Sequence, residues 1–282
     1  MTERARSTDG VEVAVHDLGG DGPPLLVAHA AGFCGGAYGP LAAALAGRFH
    51  CWALDFRGHG DSLTPIEVDF AWRGLADDVL AVIDHMGLEG AAGFGHSSGG
   101  AALLDAEARW PGAFSSLWCF EPIVWPEPPP LPPRVALIEG ALRRREVFGS
   151  RAEAYAHFAA KPPFASFHPD ALAAYVECGF AEADDDQAGA RGRVRLKCRR
   201  EAESALYRQG LAHDGFSRLA EVGCEVVVAL AADSPAIGGD VARAQAAALP
   251  RGRLEVFDGL GHLGPLDDPG RVAAAVGRDL RA

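Results

Sequence analysis

The chain has 282 residues, of which 49% are hydrophobic and 23% are charged, as is typical of a globular protein with a substantial core. Its formal net charge of -12 argues against nucleic-acid binding, because that binding depends largely on Lys and Arg contacts to phosphates. The first ten residues lack the apolar core of a signal peptide, and no later run is long enough for a membrane span, so we expect a cytoplasmic protein without a membrane partner.

The six cysteines are scattered and show neither C-x-x-C spacing nor nearby paired histidines. They are Cys34, Cys51, Cys119, Cys178, Cys198 and Cys224. In a reducing compartment such residues are typically small buried hydrophobic side chains. The sequence therefore predicts no metal site and no disulfide framework.

The first half of the chain alternates between predicted strands and helices. Residues 11–15 alternate apolar and polar side chains, which predicts an edge-type antiparallel strand. Continuous apolar runs predict buried strands at 25–28, 49–54, 91–94 and 114–120, and helical spacing predicts helices at 38–46, 72–86 and 101–110. This order indicates a parallel sheet with helices on both faces, in which ligands bind at the carboxyl ends of the strands.

The pattern changes at the proline-rich stretch PEPPPLPP, residues 126–133, which we interpret as an extended linker. Up to about residue 215 we predict helices and no buried strand, with the helices at 135–148, 152–160, 169–180 and 199–209. This block is interpreted as a helical insertion over the sheet. Its acidic cluster 184–186 and basic stretch 191–200 are interpreted as solvated faces, although a basic stretch facing the cleft could receive a carboxylate-bearing substrate.

Strand and helix alternation resumes after the insertion. Residues 225–230 and 254–257 predict strands, and residues 240–249 and 268–280 predict helices. The chain contains no internal repeat and no P-loop.

One short motif, Gly95-His96-Ser97-Ser98-Gly99, carries the chemistry. It is a G-x-S-x-G sequence with a predicted strand before it and a predicted helix after it, which is the context of a nucleophile elbow. Gly95 and Gly99 are needed there because strand and helix backbones pass so close that a Cβ atom would clash. Ser97 is therefore the predicted nucleophile.

Four blocks resemble the α/β-hydrolase superfamily, in its capped serine hydrolase branch, over nearly the whole chain. They are HAAGF at 29–33, LDFRGHGDS at 54–62, GFGHSSGG at 93–100 and DGLGHLGPLDDP at 258–269. The resemblance implies an eight-stranded, mostly parallel sheet with helices on both faces and a helical cap inserted after the sixth strand. It divides the chain into a first core part (1–121), a cap (122–215) and a second core part (216–282).

A serine nucleophile needs a base that is itself oriented by a third group. We assign the base to His262, which follows the last predicted core strand. The resemblance places the acid at Asp233, after the strand at 225–230, which gives the chain order Ser, Asp, His. Glu121 is the rival, because some branches of the superfamily carry their acid at the end of the preceding strand.

The predicted oxyanion donors are the backbone N–H groups of Ala31 and Ser98. The first loop has His29-Ala30-Ala31 where relatives commonly have His-Gly. Because alanine permits fewer backbone conformations than glycine, the sequence does not determine the backbone shape of this loop. Candidate substrate-binding residues are Phe33, Cys34, His96, Glu121 and Trp125. Aromatic residues of the insertion could line an apolar pocket, although most are interpreted as its core.

The resemblance implies acyl transfer to water without a metal or organic cofactor. We expect a carboxylesterase or lactonase acting on a small apolar ester or lactone. Epoxide hydrolases and haloalkane dehalogenases attack through a carboxylate at the position of Ser97, so both are disfavoured. Carbon–carbon bond hydrolase, thioesterase, perhydrolase and biosynthetic cyclase activities remain open on the same triad, as does a receptor-like protein with slow turnover.

Overall fold

The computed structural model describes residues 2–127, 131–183, 192–209 and 214–280, which form eleven strands and ten α-helices. The strands are β1 (Thr2–Arg6), β2 (Glu12–Gly19), β3 (Pro24–Ala28), β4 (His50–Asp55), β5 (Ala91–His96), β6 (Phe114–Phe120), β7 (Val147–Phe148), β8 (Phe180–Glu182), β9 (Val194–Leu196), β10 (Glu225–Ala231) and β11 (Gly252–Phe257). The helices are α1 (Gly39–Leu45), α2 (Trp72–Met86), α3 (Ser98–Arg109), α4 (Leu131–Arg143), α5 (Arg151–Ala159), α6 (Pro169–Cys178), α7 (Arg200–Gln209), α8 (Gly239–Ala248), α9 (Gly264–Asp267) and α10 (Pro269–Asp279).

Eight strands form the central sheet in the order β1-β2-β4-β3-β5-β6-β10-β11. Strands β4, β3, β5, β6, β10 and β11 run parallel to one another, and β2 pairs antiparallel with both β1 and β4. The predicted eight-stranded, mostly parallel sheet is therefore confirmed. Because β5 and β6 are central neighbours, the residues that follow them lie side by side at the carboxyl edge of the sheet.

The edge strand β1 was not predicted. Its sequence TERAR has no apolar alternation, and Ala5 is its one buried residue. The alternating segment 11–15 belongs to β2 and lies second from the edge. A polar outer strand is held by backbone pairing, which the hydrophobic pattern cannot reveal.

Helices cover both faces of the sheet, as predicted. Leu41 of α1 and Val272 of α10 belong to one hydrophobic cluster, whereas Val79 of α2 and Leu103 of α3 belong to the other. Of the cysteines, Cys178 is partly exposed and the other five are buried. Among the described helices, none has the length and apolar character that crossing a bilayer requires.

The insertion between β6 and β10 differs from its prediction in two places. The linker interpretation of 126–133 is wrong at its end, since α4 begins at Leu131 and includes two prolines in its first turn, where backbone N–H groups need no helical acceptor. The expectation of no buried strand is also wrong, because β7, β9 and β8 form a small antiparallel sheet in which Phe148, Phe180 and Val194 are buried. Strands of two or three residues are too short to show a periodic pattern.

The insertion follows the sixth strand, and the domain boundaries at 121/122 and 215/216 stay predictions. The acidic cluster 184–186 lies outside the described residues. Two members of the basic stretch form ion pairs: Lys197 with Asp61 at 2.7 Å and Arg200 with Glu146 at 3.1 Å.

We expect a histidine next to the buried Asp55 to make the stability of the fold dependent on pH. His16 Nε2 lies 2.7 Å from Asp55 Oδ2, with Asp61 and Lys197 nearby. Burial lowers the pKa of His16, but the hydrogen bond and negative charge of Asp55 outweigh burial, so the net shift of the pKa is upward. Because the pKa of His16 is higher in the folded state than in the unfolded state, its contact with Asp55 stabilises the fold fully at pH values below the unfolded pKa. This stabilisation is lost as pH rises through the folded pKa.

We therefore expect His16→Gln to lower the free energy of unfolding by about 1 kcal/mol at pH 6 and by less as pH rises above the ordinary histidine pKa. Urea denaturation of both proteins at several pH values measures the difference. His50→Gln is the matched control, since His50 contacts Asp17 at 2.7 Å on the exposed surface. A difference that grows with pH would contradict the assignment.

Candidate active site

Ser97 lies at the tip of a tight turn between β5 and α3. Its backbone has φ 56° and ψ -115°, a strained conformation for a residue with a side chain. The Ser97 N–H donates to the carbonyl of Phe120 at 2.9 Å, which fixes the turn against the end of β6. The side chain is nearly buried, and its hydroxyl lies at the carboxyl edge of the sheet.

The glycines on either side of Ser97 are required by close backbone approach. A Cβ atom on Gly95 would lie 2.5 Å from Gly100 Cα, and one on Gly99 would lie 2.1 Å from the carbonyl oxygen of Ala28. Both distances are far below van der Waals contact, and the partners are backbone atoms that cannot rotate away. The steric reason inferred from the sequence for these two glycines therefore holds in the structure.

His262 lies in the loop between β11 and α9 and reaches Ser97. Its Nε2 is 3.1 Å from Ser97 Oγ, and its Nδ1 is 2.6 Å from Glu121 Oε2. A carboxylate can only accept, so Nδ1 carries the proton and Nε2 is left to accept the proton of the serine hydroxyl. The arrangement matches the nucleophile, base and orienting acid of a catalytic triad.

Glu121 is held in place by several hydrogen bonds. It directly follows β6, is fully buried and has φ 45°. Its Oε1 accepts the N–H of Ala231 at 2.9 Å, and its Oε2 accepts the hydroxyl of Ser234 at 2.7 Å as well as His262 Nδ1. Its own N–H donates to the carbonyl of Ala229 at 2.8 Å. The donors satisfy both carboxylate oxygens, as a buried charge requires.

The assignment of the orienting acid to Asp233 is corrected by this geometry. Asp233 is exposed on the turn that follows β10, and the carboxylate in contact with His262 is that of Glu121. The turn still contributes, because Ser234 donates to Glu121. Parallel strands β6 and β10 end at the same edge, and the longer glutamate side chain reaches the imidazole from β6.

The predicted oxyanion loop follows β3, and two buried histidines join it to the segment that follows β4. His29 Nε2 accepts the N–H of Phe56 at 3.0 Å, and His59 Nε2 accepts the N–H of Gly32 at 3.0 Å. Burial lowers the pKa of His29 to about 3 and also lowers that of His59. Both rings are neutral at neutral pH, which is the state these hydrogen bonds need.

The two predicted oxyanion donors belong to different elements of the fold. Ser98 is the first residue of α3, so its N–H has no acceptor within the helix and lies at the positive end of the helix dipole. Ala31 is buried in the loop after β3. At Gly32, with φ 83°, a Cβ atom would lie 2.5 Å from Glu203 Oε1 of α7, so the insertion seats directly on this loop. The roles of Ala31 and Ser98 as donors stay predictions.

The remaining candidate substrate residues are mostly enclosed. Phe33 and Cys34 are buried, and Trp125 is half-buried. Phe33 contacts aromatic rings of the insertion at centroid distances of 5.3 to 5.9 Å; these rings are Phe164, Phe167 and Tyr175. Contact of Phe33, Cys34 or Trp125 with substrate stays a prediction.

His96 does not fit its predicted role in substrate binding. It is fully buried, with Nδ1 2.7 Å from Tyr38 Oη and Nε2 2.8 Å from the carbonyl oxygen of His262. Both ring nitrogens are engaged by the protein, so none is left for a substrate. The sequence also gave no signal for Tyr38 or Ser234, because hydroxyl groups that support a site from another loop follow no spacing rule.

A family model for the alpha/beta hydrolase family matches residues 25–275. The chain belongs to this family. As an alpha/beta hydrolase it shares segments with two characterised proteins. It is 33% identical over 84 residues to the magnesium-chelatase 30 kDa subunit of Rhodobacter capsulatus and 40% identical over 68 residues to a bifunctional esterase/perhydrolase of Acinetobacter calcoaceticus. The matched segments span 30% and 22%, respectively, of this chain and of those relatives.

Solved structures of other hydrolases superpose on nearly the entire molecule. E-2-(acetamidomethylene)succinate hydrolase has a TM-score of 0.83 at 22% identity, with 99% of this chain and 98% of that chain covered. A thermophilic esterase from Thermogutta terrifontis has a TM-score of 0.72 at 20% identity, with 99% and 97% covered. At these identities the likeness establishes the shared fold.

Proposed function

We propose that this alpha/beta hydrolase cleaves a carboxylic ester or lactone through an acyl-enzyme formed on Ser97. The observation that carries the proposal is the continuous hydrogen-bonded row from Ser97 Oγ through His262 to Glu121. The esterase/perhydrolase relative and the esterase of the same fold support it. The substrate we propose is a small apolar ester or lactone.

In the first half of the reaction, Ser97 Oγ attacks the carbonyl carbon while its proton moves to His262 Nε2. The electron pair of the carbonyl moves onto oxygen, and the N–H groups of Ala31 and Ser98 stabilise that negative charge. The intermediate collapses, the bond to the leaving oxygen breaks, and His262 gives its proton to that oxygen. The products of this half are an alcohol and an acyl-Ser97 ester. When the substrate is a lactone, the new alcohol and the acyl group remain parts of one molecule.

In the second half, water attacks the acyl carbon and His262 accepts one of its protons. Collapse of the second intermediate returns that proton to Ser97 Oγ and releases the carboxylic acid. The carboxylate of Glu121 orients the imidazole and stabilises the imidazolium that forms twice per cycle.

Labelling with a fluorophosphonate, followed by peptide mass mapping, tests the proposal. We expect one adduct, on Ser97, formed at least about a hundredfold faster than in a His262→Ala variant, because the probe needs the activated hydroxyl. An adduct on another residue, or none, would exclude Ser97 as the nucleophile. Ser116 provides an internal control, since its hydroxyl lies on β6 away from the imidazole.

Turnover separates the esterase from a receptor-like protein with the same triad. We expect 4-nitrophenyl acetate to be hydrolysed for many cycles at about one per second or faster. A single burst of one nitrophenol per chain, followed by very slow release, would favour the receptor-like alternative. A panel of thioesters, lactones and acyl chain lengths then defines the leaving group.

A further inference from the structure

The residue before the nucleophile joins the loop of the base to the oxyanion loop. We propose that His96 and Tyr38 form a positioning pair that holds the backbone of His262 at a fixed place relative to the oxyanion loop. This inference rests on the proposed function, because it concerns how the same site keeps its geometry. Neither residue touches the reacting atoms in this account.

Hydrogen bonds run without interruption between the two loops. The N–H of Ala30, next to the predicted donor Ala31, donates to Tyr38 Oη at 3.1 Å. Tyr38 Oη lies 2.7 Å from His96 Nδ1, and His96 Nε2 lies 2.8 Å from the carbonyl oxygen of His262. Three hydrogen bonds therefore connect Ala30 to His262 through two side chains.

The direction of each hydrogen bond follows from the available protons. The carbonyl of His262 can only accept, so His96 Nε2 must carry a proton and donate it. If His96 is neutral, Nδ1 is then an acceptor and receives the proton of Tyr38 Oη, whose oxygen remains free to accept from Ala30. Each of the three hydrogen bonds therefore has one possible direction from donor to acceptor. A single tautomer satisfies the whole row.

Burial keeps His96 in that neutral tautomer. His96 and Tyr38 are almost completely buried, and burial together with the neighbouring His262 holds the pKa of His96 well below its usual range. The His96 ring lies 5.3 Å from the ring of His262 and 5.8 Å edge-on from Phe120. His96 therefore stays uncharged when His262 becomes an imidazolium, and its Nε2 proton remains available to the backbone carbonyl.

The fixed geometry matters because His262 lies in a loop while Ser97 and Glu121 lie at ends of sheet strands. The His262 turn is closed locally by the hydrogen bond from Gly264 N–H to Gly261 carbonyl at 2.9 Å. That bond shapes the turn but does not attach it to the sheet, whereas the hydrogen bond from His96, the last residue of β5, does attach it. A misplacement of about 1 Å in catalytic groups can lower a rate about a hundredfold.

Three substitutions test the pair. Tyr38→Phe removes one oxygen and both of its hydrogen bonds. His96→Asn places an amide atom near the position of Nδ1 and loses the contact to His262, whereas His96→Gln can place its amide nitrogen near Nε2 and keep that contact. Tyr175→Phe is the matched control, because the Tyr175 hydroxyl is buried and has no hydrogen-bond partner among the described residues.

With 4-nitrophenyl acetate we expect kcat to fall about tenfold in Tyr38→Phe and about a hundredfold in His96→Asn, with KM within about twofold of wild type. His96→Gln is expected to recover at least about tenfold of the loss in His96→Asn. The downfield NMR signal of the His262 Nδ1 proton should broaden or shift in His96→Asn and remain in Tyr175→Phe.

The inference is overturned if folded Tyr38→Phe and His96→Asn keep kcat within about twofold of wild type. It is also overturned if Asn and Gln at position 96 lose equal kcat while the NMR signal is unchanged, since only packing would then be lost. Tyr38→Phe is nearly isosteric and decides the matter if the His96 variants do not fold. Failure of wild type to be labelled at Ser97 would instead refute the proposed function.

Discussion

Glu121→Gln is expected to lower kcat for ester hydrolysis by about four orders of magnitude, while Asp233→Asn leaves kcat within about twofold of wild type. The amide removes the negative charge that stabilises the imidazolium, and its NH₂ group can turn the imidazole to the tautomer with a proton on Nε2. Ser97 then has no base. Steady-state kinetics of both variants with 4-nitrophenyl acetate measures the difference.

The two variants make a matched pair, because each replaces a carboxylate by its isosteric amide near the end of a neighbouring strand. Gln at position 121 keeps an oxygen for the N–H of Ala231, so we expect it to remain folded, as circular dichroism would verify. Loss of turnover in Asp233→Asn together with an active Glu121→Gln would show that the acid is Asp233 after a rearrangement of the loop that follows β10.

Most of the central sheet could be predicted from the sequence because burial on both faces leaves continuous apolar runs. Runs such as 25–28 and 114–120 fall within β3 and β6. The strands that the sequence analysis missed lack continuous apolar runs. The strand β1 exposes nearly all of its side chains, and β7 has two residues.

Within the site, local sequence was sufficient to single out Ser97 and His262, whose side chains lie 3.1 Å apart, but not the carboxylate that contacts His262. Ser97 stands out because close backbone approach requires glycines on both sides of it, and this requirement produces a sequence motif. His262 stands out because it follows the last core strand. Glu121 and Asp233 both follow strands that end at the same edge, so position along the chain cannot separate them. The choice depends on which side chain is buried and supplied with donors, and Glu121 receives them from Ala231 and Ser234.

The side chains that support the site, Tyr38 and His96, could not be predicted for a different reason. Tyr38 and His96 are 58 residues apart, and His96 and His262 are 166 apart, yet each pair shares one hydrogen bond. Such contacts arise when strands and loops are brought together by the hydrophobic core. No local pattern in the sequence encodes them.

Ser97→Ala is expected to lower kcat by about a millionfold, and adding His262→Ala to it should cause almost no further loss. The imidazole acts only through the hydroxyl that lies 3.1 Å from its Nε2, so it has no role once that hydroxyl is gone. Rates of the two single variants and the double variant, measured on one ester, give the coupling. Alanine keeps a Cβ atom at φ 56°, so the turn retains its strain, and thermal unfolding of each variant checks that the fold persists. Losses that multiply in the double variant would mean that the two residues act separately, and the acyl-enzyme pathway would then be wrong.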